Sequence, residues 1–368
     1  MKKHLLALAA LATVSGVAAA QSNVTVYGIV DMAVNSLNKT AVQGLSKNSL
    51  DSGGMSPSIF GFRGTEDLGG GLKASFNLEG HIAADTGTGS QWGGLFGRQA
   101  NVGLSSSLGS VTLGKQYTAA VLAFASTDPR GLKETNSGLM SWAFSQKPLT
   151  TDNSVPASGT TTQNTNVPID VFMANAVGVS TQVGGLSLSG QYAAGEAAGN
   201  TSQNSAYSLG AVYTQAGLTV SAGRQSQNGN SATTSIYKNE KTTVGAAYKL
   251  GAATVKLNYL ETKSNNSSGV AAYKYHVVGA GVDYALNAKN TLTVAYYDAQ
   301  NKGVGASSTD DSKTWIVSND YALSKRTTLY GLVSGSKQGL GYTGASASGT
   351  AAAGVNQTLF QAGVRHTF

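Results

Sequence analysis

Apolar and polar residues alternate with period two along most of this chain, and no other feature constrains the fold as tightly. In Gly71–Gly80, Leu72, Ala74, Phe76 and Leu78 fall on one face, and Lys73, Ser75, Asn77 and Glu79 on the other. Val244, Ala246, Tyr248 and Leu250 oppose Thr243, Gly245 and Lys249, and Val255, Leu257 and Tyr259 oppose Lys256 and Asn258. Successive side chains of an extended strand point to opposite sides, so this period reads as strands with one oily and one polar face. About sixteen such runs begin near Val24, Ser58, Leu72, Gln99, Val111, Ile169, Gly185, Ala206, Leu218, Thr242, Ala253, Tyr273, Thr291, Lys313, Thr327 and Gln357. No sustained i, i+3, i+4 apolar face interrupts them after the first twenty residues.

The connections alternate between short and long. Glu66–Gly70, Gln215-Ala216-Gly217 and Leu323-Ser324-Lys325 are short and carry turn residues. The long ones, roughly 36–56, 85–96, 117–166, 195–204, 227–237, 264–271, 301–311 and 337–355, are rich in Gly, Ser, Asn and Thr. Strands near ten residues, tight turns at one end and long loops at the other are the marks of a transmembrane antiparallel β-barrel. Tyr27, Phe60, Phe62, Tyr284, Tyr321, Tyr330 and Phe360 lie near strand ends, where interfacial aromatic girdles sit. Ser, Thr, Asn, Gln, Lys, Glu and Gly on the other face make a poor core and a good water channel. The chain has no Cys, which excludes disulfides, thiolate metal sites and a thiol nucleophile. Closure of the barrel supplies the missing restraint, because it pairs every backbone N–H and C=O. At this strand number the bore is too wide for side chains to fill. The third long connection, 117–166, is far longer than an ordinary loop and is the candidate plug.

Met1–Ala20 has a basic start at Lys2 and Lys3, an apolar run from Leu5 and small residues at Ala18–Ala20. It reads as a cleaved export signal, leaving residues 21–368 as a single barrel domain. Without Lys2 and Lys3 the formal charge falls from +7 to +5.

On these residues the chain resembles the general bacterial porins of Gram-negative, beta-proteobacterial type. Val24-Thr-Val-Tyr-Gly-Ile-Val-Asp31 is similar to that family's first strand and Gly61-Phe-Arg-Gly-Thr-Glu-Asp-Leu-Gly-Gly-Gly-Leu-Lys-Ala74 to its signature hairpin. Leu95–Ala100, Val111–Tyr117, Leu323–Gly331 and the Phe-terminated tail Ala362–Phe368 extend the likeness over nearly the whole chain. The resemblance implies a homotrimer of sixteen-stranded barrels in outer-membrane lipid and lipopolysaccharide, with the third outer loop folded into each lumen. It also implies a passive channel for ions and small hydrophilic solutes, with no cofactor and no catalysis. It makes Phe368 the recognition mark for the outer-membrane assembly machinery.

A constriction needs opposed charges, since a transverse field sorts ions by sign. The resemblance points to a basic wall at Arg63, Lys73, Arg98 and Lys115. Alternation supports inward placement of Arg63 and Lys73, but gives Arg98 the parity of Val102 and Lys115 that of Val111. The loop offers Asp128, Arg130, Glu134 and Asp152, beside Lys133 and Lys147, and is formally neutral. Ile59 stands where many relatives carry an arginine, and the stretch after the loop lacks their basic residue. The expectation is weak anion selectivity. Catalysis has little support: His81 shares a face with Glu79, but no Ser sits in a nucleophile elbow. Beyond the export signal the three scattered His, at 81, 276 and 366, make a poor metal set. No Lys/Arg cluster tracks phosphates, so nucleic acid is not a partner.

Overall fold

The computed structural model describes residues 23–38, 45–89, 94–144, 171–196, 199, 201–229, 238–265, 270–303, 311–337 and 356–368. The export signal, Lys147 and Asp152 lie outside them. The strands are β1 (Asn23–Leu37), β2 (Lys47–Ser52), β3 (Ile59–Gly69), β4 (Leu72–His81), β5 (Gln99–Ser106) and β6 (Gly109–Tyr117). Helices α1 (Ala119–Ala125) and α2 (Gly138–Phe144) follow. Then come β7 (Phe172–Val183), β8 (Leu186–Ala193), β9 (Ala206–Gln215), β10 (Leu218–Asn228), β11 (Lys238–Leu250) and β12 (Ala253–Asn265). The last five are β13 (Ala271–Asn287), β14 (Asn290–Asn301), β15 (Ser312–Ala322), β16 (Thr327–Lys337) and β17 (Asn356–Thr367).

All pairings are antiparallel; from β3 to β17 each strand pairs with the next, and β1 closes the ring on β17 from Ile29↔Thr367 to Leu37↔Leu359. Strands β2 and β3 lie end to end against the two halves of β1. They are one stave interrupted at residues 53–58, so the barrel has sixteen staves. The reading of 36–56 as wholly loop is corrected here: Lys47–Ser52 is strand. Periodicity does not reveal it because its apolar face holds a single large side chain, Leu50.

The outer face is oily and the inner face wet. Val26, Leu257 and Phe360 are 58, 54 and 59% exposed, while inward Thr262 and Thr293 are 0 and 1% exposed. No aqueous surface is built that way; lipid covers it. Two aromatic residues depart from the expected girdle. Tyr27 and Tyr330 point inward, Tyr27 to Asn77 and Glu79 and Tyr330 to the Asp31 carboxylate. The phenol hydroxyl lets an aromatic residue serve a polar lumen.

The inner wall is also not polar throughout. Leu260, Val277 and Ala299 share one register row across β12, β13 and β14 and face inward, all buried. They form an oily seat for the third long loop.

Candidate pore constriction

That loop leaves β6 at Thr118, whose hydroxyl accepts from Val121 N (3.3 Å) and caps α1. A helix start leaves backbone N–H groups without partners. Here the barrel wall takes two of them: Ala119 N donates to Gln191 Oε1 (3.0 Å) and Ala120 N to Ser208 Oγ (2.9 Å). The wall beneath is furrowed. A Cβ at Gly210 would stand 2.3 Å from Ala119 O, one at Gly223 2.9 Å from Ala120 Cα, and one at Gly245 2.0 Å from Thr127 Oγ1. Inward glycines on three successive staves therefore let the helix lie against the sheet. Val121 and Phe124 fill the oily seat with Trp142 of α2, the two rings stacked at 5.2 Å.

Beyond α1 the loop steps round the wall. Thr127 meets Ser221 on β10 (2.9 Å), and Asp128 meets Asn258 on β12 (3.4 Å) and the Tyr297 hydroxyl on β14 (3.1 Å). Arg130 Nη1 donates to Ser318 on β15 (2.8 Å), Lys133 pairs with Asp320, and Asn136 Nδ2 donates to Ser334 on β16 (2.6 Å). Thr135 Oγ1 accepts from Gln361 of β17 (3.1 Å). Finally Glu134 N and Thr135 N donate to the carbonyls of Met55 and Gly54, each at 3.2 Å. The loop is an inner hoop running from β8 to the break between β2 and β3.

Two buried carboxylates fasten it. Asp128 accepts from the backbone N–H of Arg130 (3.0 Å), Leu132 (2.9 Å) and Gly138 (3.1 Å) as well as from Tyr297. Asp31 of β1 accepts from Gly54 N (3.2 Å), Met55 N (3.0 Å), Ser56 N (2.8 Å) and the Tyr330 hydroxyl. It thereby holds the 53–58 segment that receives the end of the hoop.

The side of the bore left clear by the hoop is β3 to β6. There Arg98 Nε donates to Glu79 Oε1 (2.7 Å), Arg98 also meets the Tyr117 hydroxyl, and its guanidinium lies 5.0 Å over the Phe172 ring. Tyr27 donates to the other Glu79 oxygen (2.9 Å), lying over Gly61, where a side chain would collide with its ring. Arg98 and Glu79 are both nearly fully buried.

The sequence-predicted residues thus have different fates. Arg63 faces inward over the Tyr27 ring (4.9 Å), and Lys73 faces inward at the turn end, paired in register with Asp67. Arg98 reaches the lumen because it precedes β5, outside the alternating register. Lys115 shares its row with Ala100 and Leu78, the outward row, so the sheet does not bring it to the other three. In the loop, Asp128 and Arg130 are buried fasteners. Glu134 is part-exposed and faces Arg98 and Asp31; burial pushes its carboxyl up to about 7, with Arg98 pulling down and Asp31 adding to the rise.

Several participants escape a reading of the sequence. Tyr117 braces Arg98, and Lys256 pairs with Asp283 (2.7 Å) and approaches Pro129 O (3.5 Å) under the hoop. Arg365 faces inward in register with Asp31 and donates to Ser56 Oγ (2.8 Å). The available signal is Gly at inward parity on successive strands, which marks a wall that something lies against.

The comparisons agree with this architecture. The family model described as Gram-negative porin matches residues 7–339. The chain belongs to that porin family. Among its porin relatives, Outer membrane porin protein 32 of Delftia acidovorans is 34% identical over the full length of both chains. An outer membrane porin protein of Bordetella pertussis is 40% identical over 36% of this chain and 37% of its own. The solved anion-selective porin from Comamonas acidovorans superposes with a TM-score of 0.77 at 28% identity, covering 95% of this porin and all of that one. This porin is accordingly an outer-membrane protein of Gram-negative type.

Proposed function

We propose that this porin is a passive, weakly anion-selective channel for ions and small hydrophilic solutes, narrowed where the hoop faces Arg63 and the Glu79–Arg98 pair. The observation that carries the reading is the hoop itself: a wide barrel with a wet inner face, lined along most of its circumference by a loop fastened strand by strand. Water fills such a bore and solutes cross by diffusion. Weak anion preference fits the charge pattern. Arg98, Lys133 and Lys256 are each paired with a carboxylate, whereas Arg63 and Arg365 rest on a tyrosine ring and a serine hydroxyl. Asp128 accepts hydrogen bonds on both oxygens and is shut away from the bore. A homotrimer fits as well; Vibrio cholerae OmpT, which shares the fold at a TM-score of 0.63, is known in a trimer form.

Purified protein in a planar bilayer should give stepwise, ohmic conductance, in groups of three if the trimer assembles, with a small anionic reversal potential in a KCl gradient. Folded protein that inserts without conducting would overturn the channel, and a strong cationic potential would overturn the charge assignment.

Phe368 fits a role in assembly. Its N donates to Gly28 O (3.1 Å), its O accepts from Gly28 N (3.2 Å), and a Cβ at Gly28 would collide with its ring at 2.4 Å. The last residue is thus sewn to the first strand at the closing seam. Deleting Phe368 should deplete the protein from outer-membrane fractions; undiminished levels would show that neither the seam nor the assembly machinery needs it.

A further inference from the structure

Charge is spread unevenly around the lumen. On the turn side of the hoop, Arg63 and Lys73 project from β3 and β4, and Lys256, Asp283, Asp320 and Arg365 from β12 to β17. Between these walls, the inner faces of β5 to β10 carry no charged side chain among the described residues. Lys115 and Arg224, the cations of those strands, have outward parity.

That sector carries hydroxyl groups instead. Ser105, Ser110, Ser180 and Ser189 follow one another in register across β5, β6, β7 and β8. Neighbouring strands stand about 4.8 Å apart, so the row is a ladder of hydroxyls at that spacing. Gln182 and Ser187 pair in the next inward row toward the turns. At one end of the ladder Ser105 stands beside Lys73, which faces Asp67. At the other end is Gly210, against which Ala119 of α1 lies.

Helix α1 roofs the ladder. Ala119, Leu122 and Ala123 overhang the serines and bound with them a groove of about 450 Å³, open to the bore. No charged side chain lines it. Leu122 is 52% exposed, whereas Val121 and Phe124 of the same helix are buried in the oily seat. The groove thus has a polar floor and one large apolar side chain above it.

This chemistry selects the occupant. A hydroxyl donates one hydrogen and accepts at two lone pairs, so it exchanges water for a solute hydroxyl with little loss. The Ser110 and Ser180 oxygens lie 2.8 Å apart and share one hydrogen, which leaves the other for a solute. A carboxylate or phosphate finds no cation in the groove, while Arg63 and Arg365 stand on other walls. A wholly apolar ligand would strip water from the serines and give no hydrogen bond in return. A pyranose presents hydroxyls along its rim and C–H groups on its face, the first suited to the ladder and the second to Leu122.

We propose that this groove is a weak subsite for uncharged sugars, held between the serine ladder and Leu122 at the turn end of the bore. The inference rests on the channel reading and adds a solute class to it: neutral saccharides pass along β5 to β10, apart from the charged walls that act on ions. The volume is that of a small-ligand site. Hydroxyls without a charge or an aromatic platform bind loosely enough to release the solute, as conduction requires.

The test is planar-bilayer recording of the full-length protein with a neutral disaccharide, maltose, added from the side that the short turns face. Wild type should show a fall in conductance that saturates with maltose, on top of the linear fall that viscosity causes in any pore. The Ser110→Ala, Ser180→Ala, Ser189→Ala triple variant should raise the half-saturating concentration about tenfold, through the loss of three neutral hydrogen-bonding groups. The Thr254→Ala, Thr291→Ala, Thr328→Ala triple variant, which removes hydroxyls from the charged walls, should match wild type. If the serine variant lacks the gel mobility of folded barrel, Leu122→Gln replaces it and should weaken the block as well. A strictly linear fall in wild type, an undiminished block in the groove variant, or equal loss in both triple variants would each overturn the subsite and leave the channel standing. Folded protein that gives no conductance steps would overturn the channel, and the subsite with it.

Discussion

Asp128→Ala is expected to release the hoop from the barrel wall, raising single-channel conductance and making it noisy. The alanine has no acceptor, so Leu132 N and Gly138 N lose the partner that now holds them at 2.9 and 3.1 Å, whereas Arg130 N keeps the Tyr297 hydroxyl at 3.2 Å. A buried donor left without a partner costs roughly 1–3 kcal/mol. Water in the lumen reaches some of these groups once the turn loosens, so the low end applies. Two such losses amount to about 2 kcal/mol, which shifts the ratio of docked to released loop by roughly thirtyfold. The oily seat formed by Phe124, Trp142, Leu260 and Val277 remains. It anchors α1 and α2, and of the stretch from Arg130 to Asn136 it takes in only Leu132, which is partly buried against it. That stretch should therefore swing while the helices stay, and the record should flicker between two conductance levels. Asp128→Asn, which keeps one acceptor oxygen, should fall between alanine and wild type. An unaltered conductance in Asp128→Ala would mean that the contacts to Ser318, Asp320, Ser334, Gln361 and the Met55 and Gly54 carbonyls hold the loop without Asp128.

How far sequence reaches into this molecule depends on whether a residue obeys the strand period. Where it does, the reading is close: expected strand starts at Leu72, Gln99, Ala206, Leu218, Ala253 and Thr327 coincide with the observed ones. The expected start at Thr242 is four residues late because β11 begins with the polar run Lys238-Asn239-Glu240-Lys241, which has no oily member for the alternation to show. Tyr27 and Tyr330 carry the composition of a girdle and the position of a lumen wall, and only their partners Glu79 and Asp31 decide between the two. Arg98 is set by the loop before β5, which no periodicity describes. Leu260 and Val277 look like lipid-facing residues out of step; their purpose appears only when Phe124, more than a hundred residues away, is placed on them. The basic balance of the chain is legible in composition, but its location is not.

Anion preference is expected to rise as pH falls through about 7, because Glu134 gives up its charge there. Its carboxyl lies above the ordinary glutamate range, chiefly through burial, and the upward push from Asp31 opposes the downward pull of Arg98. The folded state therefore binds this proton more tightly than an unfolded chain does. The sign follows: the protonated side chain suits the docked loop, and docking weakens as pH rises through the folded value. Between about pH 8 and pH 6 the site passes from mostly ionised to mostly neutral, a change of nearly one full negative charge. That charge faces Arg98, which also pairs with the Glu79 carboxylate at 2.7 Å. Losing it tilts the field across the bore toward the cations. Glu134→Gln should fix the channel near its acid-side selectivity at every pH, since glutamine keeps the shape and the Glu134 N to Met55 O bond lies in the backbone. The field is screened over about 10 Å at 0.1 M salt, so reversal potentials belong at low ionic strength, measured at both pH values for wild type and Glu134→Gln. A pH step of equal size in the two proteins would remove Glu134 from the selectivity of the pore.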